Sequence, residues 1–180
     1  MKKYLKMHDL IVDEEEQKFI PSNLIKNDIW DKEFIIYQWY DDLDSEFKTK
    51  CIIDLKTLTS KWVSIKKNRI NNSQSKKEVK YLNKDDVKVE TFLGKKFVCK
   101  RRSIYQNIHL DHFIRSNEKC VYLIENEGAG EELKILLSKY GVIDYTDVTD
   151  DISYRNTNMC DYFNETDFLN FQFLLKMFVL

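Results

Sequence analysis

A chain of 180 residues with 43% hydrophobic, 33% charged and 13% aromatic residues and a single proline is expected to fold as one ordered domain, which excludes a disordered tail or a fibrous protein. The formal net charge of −1 hides a lopsided distribution. Residues 61–102 hold 14 Lys and Arg against 4 Asp and Glu, a net of +10, while residues 1–60 sum to −4 and residues 103–180 to −7.

No secretion signal is read at the N-terminus, because Lys6, His8 and Asp9 interrupt the apolar stretch such a signal needs. Cys51, Cys99, Cys120 and Cys160 contain no CxxC pair, which fits reduced thiols and a cytoplasmic location. The single alanine, Ala129, beside abundant Lys, Asn and Ile, suggests an AT-rich coding sequence such as that of a phage or low-GC bacterium.

In chain order, Pro21-Ser22-Asn23 reads as a helix start leading into Leu24, Ile25 and Ile29. Glu33 to Tyr40 and Lys50 to Lys56 read as strands paired in a hairpin across the acidic turn Asp41-Asp42-Leu43-Asp44. Residues 66–78 are almost devoid of apolar side chains, so they are expected to form a mobile loop and the candidate sub-boundary of a single domain, 1–180. A second hairpin is expected from Val87–Leu93 and Lys96–Lys100 across Gly94-Lys95. Cys120 to Ile124, a helix over Glu131–Tyr140 and a strand over Val142–Val148 make a βαβ-like step near residues 120–148. The run from Phe168 to Leu180 reads as a C-terminal helix apolar on nearly all sides and hence buried; with Gln172 and Lys176 inside it, it falls short of the roughly 20 apolar residues a membrane span needs. The fold expected is α+β, with a mostly antiparallel sheet built from the two hairpins.

The basic middle third points to an anionic or acidic partner. Trp62 is interleaved there with Lys66, Lys67, Arg69, Lys95, Lys96, Lys100, Arg101 and Arg102, a combination that can neutralise phosphates and offer a stacking face to bases. A protein or nucleoprotein partner, or nucleic acid, would suit it, and a solvated basic face is the plainer alternative.

Two segments suggest chemistry. Asp44 followed by Asp54-Leu55-Lys56 resembles the core of PD-(D/E)xK nucleases, although the Pro-Asp dipeptide is missing; the resemblance implies Mg²⁺ held by Asp44 and Asp54, with Lys56 positioning the attacking water. Glu125-Asn126-Glu127-Gly128-Ala129-Gly130 after a buried strand resembles the acidic strand end of Toprim domains, whose later Asp-x-Asp pair is absent among Asp147, Asp150 and Asp151. His109, His112, Cys99 and Cys120 fit no structural-zinc spacing. With no complete catalytic constellation, the expected function is a non-enzymatic binding protein without cofactor, such as an inhibitor or immunity protein encoded by a phage or other mobile element. The Mg²⁺-dependent nuclease is the alternative.

Overall fold

The computed structural model describes residues 10–23, 30–114, 121–127, 137–138, 141–142 and 144–179. Its strands are β1 (Leu10–Glu15), β2 (Gln17–Pro21), β3 (Lys32–Asp42), β4 (Phe47–Asp54), β5 (Ser60–Arg69), β6 (Gln74–Leu82), β7 (Lys96–Tyr105), β8 (Ile108–Phe113), β9 (Val121–Asn126), β10 (Tyr145–Asp147) and β11 (Asp161–Tyr162), followed by helix α1 (Glu165–Val179). All pairings are antiparallel, in the order β1-β6-β5-β4-β3-β7-β8-β9-β2-β10, with β11 added to β7.

The ends of that order explain the shape. β1 pairs with β6 at one end and β2 pairs with β9 near the other, yet only Glu16 separates β1 from β2 in the chain. β1 and β2 therefore act as one bent stave that curls the sheet upon itself into a barrel of β1/β2, β6, β5, β4, β3, β7, β8 and β9. Both ends of the order are thereby brought onto one stretch of chain, with β10 added beyond β2.

Strand side chains alternate between the two faces, and here both faces are specialised. On the outer face of β3, β4 and β5, Tyr37, Trp39, Cys51, Ile53 and Trp62 form a core with Phe92, Phe163 and Phe171, the last of these contributed by α1. Trp39 is fully buried, stacked 4.2 Å from Phe92 and edge-on to Phe171 at 4.8 Å. A second outer core joins Phe19, Ile108, Leu110 and Ile124 to Leu137 and Val142. A third cluster, Tyr40, Val98, Phe113 and Leu123, lies on the inward face and meets Val148 and Met159 from the segment after β10, plugging one end of the barrel.

The expectation of a mixed α+β fold with two hairpins is overturned: the described chain is a curled antiparallel sheet with one long helix at its C-terminus. β3 and β4 do pair, but as two staves among several. The second hairpin is absent, because residues 87–93 form short 3₁₀ turns and β7 pairs instead with β3 and β8. Among the described residues no parallel step occurs near 120–148, since β9 runs antiparallel to β8 and β2, and β10 antiparallel to β2. The expected helix over Glu131–Tyr140 lies almost wholly outside the described residues, as does the continuation after Asn23.

Residues 66–78, expected as a mobile loop, are mostly the paired strands β5 and β6 around a turn at 70–73. They lack apolar alternation because one of their faces lines a charged interior. α1 forms as expected, but only one side is buried: Leu169, Phe173 and Met177 remain exposed. Among the described residues, no helix is long and apolar enough to cross a membrane.

Candidate functional site

The interior of an eight-stave barrel is just wide enough to be filled by side chains or to hold one small ligand. Here much of the filling is ionic. β4 turns Lys48 and Lys50 inward, opposite in parity to Cys51 and Ile53 on the outer core. β5 contributes Lys67 and Arg69, β7 Lys100 and Arg102, and β2 Lys18. Lys77 on β6 stands directly across from Lys67 in the register. Carboxylates are set among these cations: Glu16 at the stave bend, Glu46 before β4, Asp111 on β8 and Glu125 on β9.

Arg102 is the hub. Its Nε donates to Asp111 Oδ1 and its Nη2 to Asp111 Oδ2, both at 2.6 Å, and Nη2 also reaches Glu125. Its Nη1 lies 3.2 Å from His109 Nδ1, which accepts if the imidazole is neutral. Burial and the Arg102 charge both push His109 below its ordinary pKa, so the acceptor tautomer fits. Burial would raise the Glu125 carboxyl, but Lys100, Arg102 and Lys18 outweigh it and hold Glu125 well below the usual carboxylate range. Lys100 and Asp111 form a fully buried ion pair, with the ammonium 5.1 Å over the Phe113 ring.

Toward the plugged end, Glu46 binds Arg69 through both carboxylate oxygens and lies 3.8 Å from Lys48. Burial and the neighbouring Lys67 charge push Lys48 down to about 7. Lys50 is more informative still. Burial, Lys48, Lys100 and Arg102 all depress it well below a normal lysine, and among the described residues it has no ion pair. Side-chain exposure rises away from the plug, from Asp111 at 0% through His109 at 11% to Glu127 at 39%.

Two carboxylates could share a divalent cation. Glu16 and Glu125 flank the same ammonium, Lys18 Nζ, at 3.2 and 3.9 Å, and Glu125 Oε1 is buried with no hydrogen-bond donor. No group of three His, Cys, Asp or Glu among the described residues could cage a metal unaided. A site with one or two carboxylates completed by phosphate oxygens is the pattern Mg²⁺ favours.

The residues singled out in the sequence divide sharply. Lys67, Arg69, Lys100 and Arg102 converge in the interior. Trp62 is buried in the outer core against Trp39, so it presents no stacking face to a base. Lys66, Lys95 and Arg101 face outward, where Lys95 pairs with Asp41 and Arg101 with Glu33 at 2.7 Å, while Lys96, the first residue of β7, lies over the Tyr162 ring. The nuclease trio is not assembled. Asp44 is in the turn before β4 and Asp54 is the last residue of β4, about 23 Å along the strand. Asp54 spends its carboxylate capping the backbone N–H groups of Lys56 and Thr57.

Sequence reasoning missed Glu16, Lys18, Lys48, Lys50 and Asp111, and took Glu125 only as an acidic strand end. A signal was present: charges spaced by two, as in Glu14-x-Glu16-x-Lys18, Lys48-x-Lys50, Lys100-x-Arg102 and Glu125-x-Glu127.

No protein-family model and no curated protein matches the chain. Solved structures do overlap with it. The hypothetical protein NE1496 shares 13% identity at a TM-score of 0.45, covering 81% of this chain and 96% of its own. The same name recurs in a structure described as the inorganic triphosphatase NE1496, at 12% identity, TM-score 0.45, 81% of this chain and 93% of that one. The PH1819 protein from Pyrococcus horikoshii OT3 has 13% identity and a TM-score of 0.44, with 74% and 93% covered. Overlaps of this strength leave the functional argument to the side chains of this chain.

Proposed function

We propose that the barrel interior binds a short linear chain of phosphate groups, in the manner of inorganic triphosphate or a nucleoside triphosphate tail, and hydrolyses a phosphoanhydride bond with the help of Mg²⁺. The observation that carries this reading is Lys50, an inward-facing, half-buried lysine that makes no direct ion pair among the described residues, in an interior whose cations outweigh the attraction of Glu125. An unpaired charge held away from water is costly, and a polyanion would remove that cost. The barrel's width selects the shape of the anion. A narrow interior lined by Lys and Arg from many staves admits a thin phosphate chain, whereas a duplex or a protein loop would not fit.

The acids argue for a metal-assisted reaction and against simple storage of an anion. Carboxylates beside phosphate repel it unless a divalent cation lies between them. As phosphate oxygens take over Arg102, Lys18 and Lys67, Glu16 and Glu125 are released from their ion pairs and would hold Mg²⁺. A metal there would neutralise charge developing on the phosphoryl oxygens and lower the pKa of an attacking water. Arg102 and Lys50 orient the chain, and the apolar layer of Tyr40, Val98, Phe113 and Leu123 keeps bulk water from the closed end.

Lys50→Met tests the reading. Losing a charged contact to phosphate should weaken triphosphate binding by about ten- to a hundredfold in calorimetry. The ligand-free fold should become no less stable, because an uncompensated charge has been removed. Orthophosphate release from triphosphate should require Mg²⁺ and fall to background in Glu125→Gln. Triphosphate binding unchanged in Lys50→Met, or absent from the wild type, would refute the interior as the anion site; binding without turnover would refute the hydrolase half alone.

A further inference from the structure

The outer side of α1 is unused by the barrel and carries its own information. Phe171 on the inner side is fully buried against Tyr37 and Trp39, and Phe168, Leu174 and Leu175 pack around the same core. Leu169, Phe173 and Met177, spaced by four, form a stripe along the other side and are 58%, 64% and 60% exposed. A helix that is apolar all round is normally covered all round.

We propose that a second copy of this chain covers the stripe, with the two α1 helices antiparallel and the two Phe173 side chains meeting on the twofold axis. Charge selects both the occupant and the direction. Glu165 lies in the first turn and Lys176 in the last, both exposed beside the stripe, so an antiparallel partner brings each lysine toward the other copy's Glu165 and opposes the helix dipoles favourably. A parallel pair would bring the two Glu165 carboxylates together. The stripe is also self-complementary: Leu169 of one copy falls opposite Met177 of the other, on either side of the Phe173 pair, as a twofold interface requires.

The area suffices for a specific, modest interface. At about 200 Å² for each large apolar side chain, the three exposures leave about 360 Å² bare per copy, or about 700 Å² for two. The flanking exposed residues Glu165, Thr166, Asn170 and Lys176 bring the total to about 1,000 Å², the lower bound for a specific association. The dimer is independent of the phosphate reading, since α1 packs on the outside of the barrel.

Sedimentation velocity on the full chain, from about 1 to 100 μM, spans the affinities expected of such an interface. The wild type should dimerise within that range, and Phe173→Glu should be monomeric with the wild-type circular dichroism spectrum. Cysteine trapping gives the direction. Phe173→Cys should oxidise to a covalent dimer, while Leu169→Cys should not, because antiparallel helices hold the two 169 positions about 12 Å apart along the axis; the unmodified chain gives the background from its own cysteines. A wild type that stays monomeric, a dimer that survives Phe173→Glu, or equal cross-linking of Leu169→Cys would overturn the proposal.

Discussion

Replacing Asp111 by Asn should destabilise the fold far more than replacing Lys100 by Met, although the two side chains make one ion pair. The asymmetry follows from their other partners. Asp111 also accepts two hydrogen bonds from Arg102, whereas Lys100, 1% exposed, has Asp111 as its only ionic partner among the described residues and otherwise faces the Phe113 ring. In Lys100→Met the carboxylate keeps Arg102, and methionine retains much of the buried stem, so the loss should be about 1 kcal/mol, the size of one hydrogen bond. In Asp111→Asn a buried ammonium is left without a counter-charge, a change that costs about 3–5 kcal/mol. For a chain of this length that corresponds to a fall in Tm of about 10 °C. Urea unfolding followed by the fluorescence of Trp39 and Trp62 would read both variants, and the double variant should recover most of the loss because neither charge remains. If Lys100→Met proved as damaging as Asp111→Asn, the buried network would not be arranged as described.

Three further outcomes are expected. Lys48 titrates at about 7 in the folded protein against 10.5 for an ordinary lysine, so the folded state binds fewer protons between those values and stability should rise with pH across that window; the cost is fully present below pH 7, and Lys48→Met should abolish that component of the slope in pH-dependent unfolding curves. Phe171→Ala should cost about 3–5 kcal/mol in urea unfolding by emptying the contact of α1 with Tyr37 and Trp39, whereas the exposed Phe173→Ala should cost under about 1 kcal/mol at concentrations where the chain is monomeric. Gln106, at φ 50° in the two-residue turn between β7 and β8, stands where glycine is favoured, so Gln106→Gly should stabilise by about 1 kcal/mol, and an unchanged or lower Tm would contradict this.

The sequence revealed several strands with one apolar and one mixed face, though not β8, where Ile108 and Leu110 alternate with His109 and Asp111. Phe34 to Tyr40 and Lys50 to Asp54 were legible on those grounds, as was the C-terminal helix from its dense apolar run. It misled where both faces of a strand departed from that pattern. Lys66-Lys67-Asn68-Arg69 and Lys76-Lys77 look like a solvated loop because hydrophobic periodicity assumes a greasy interior, and this interior is ionic. The fold divides the basic segment between the interior and the outer face. Its net +10 segment does not gather on one outer face: Lys67, Arg69, Lys100 and Arg102 turn inward and meet Glu16, Glu46, Asp111 and Glu125, mostly from the acidic flanks, so the two halves of the imbalance neutralise each other inside the fold. Closure of the barrel was beyond local reading, since it depends on a single bend at Glu16 letting one stretch of chain pair with both β6 and β9.

If the interior takes phosphate and Mg²⁺ as proposed, the internal pairing of charges also fixes how the two must act on each other. In the ligand-free barrel Glu16 and Glu125 are occupied by Lys18, Lys67 and Arg102, so Mg²⁺ arriving alone must compete with ammonium and guanidinium groups for both carboxylates. A phosphate chain arriving alone gains Lys50 without competition but meets uncovered carboxylates as soon as it draws Arg102 away. Each ligand therefore removes the obstacle to the other, and their binding should be positively coupled. Linkage requires the factor to be the same in both directions: triphosphate should strengthen Mg²⁺ binding as much as Mg²⁺ strengthens triphosphate binding, by roughly 5- to 150-fold if the coupling is of ordinary size. Calorimetric titrations in both orders, corrected for the Mg²⁺ that free triphosphate binds, would measure it. Removing the negative charge with Glu125→Gln should weaken the coupling while leaving the metal-free affinity for triphosphate equal or higher. Triphosphate binding indifferent to Mg²⁺ would mean that the carboxylates stay paired with their cations when the chain is bound, and the interior would then be a receptor for phosphate and not a place where its anhydride bond is broken.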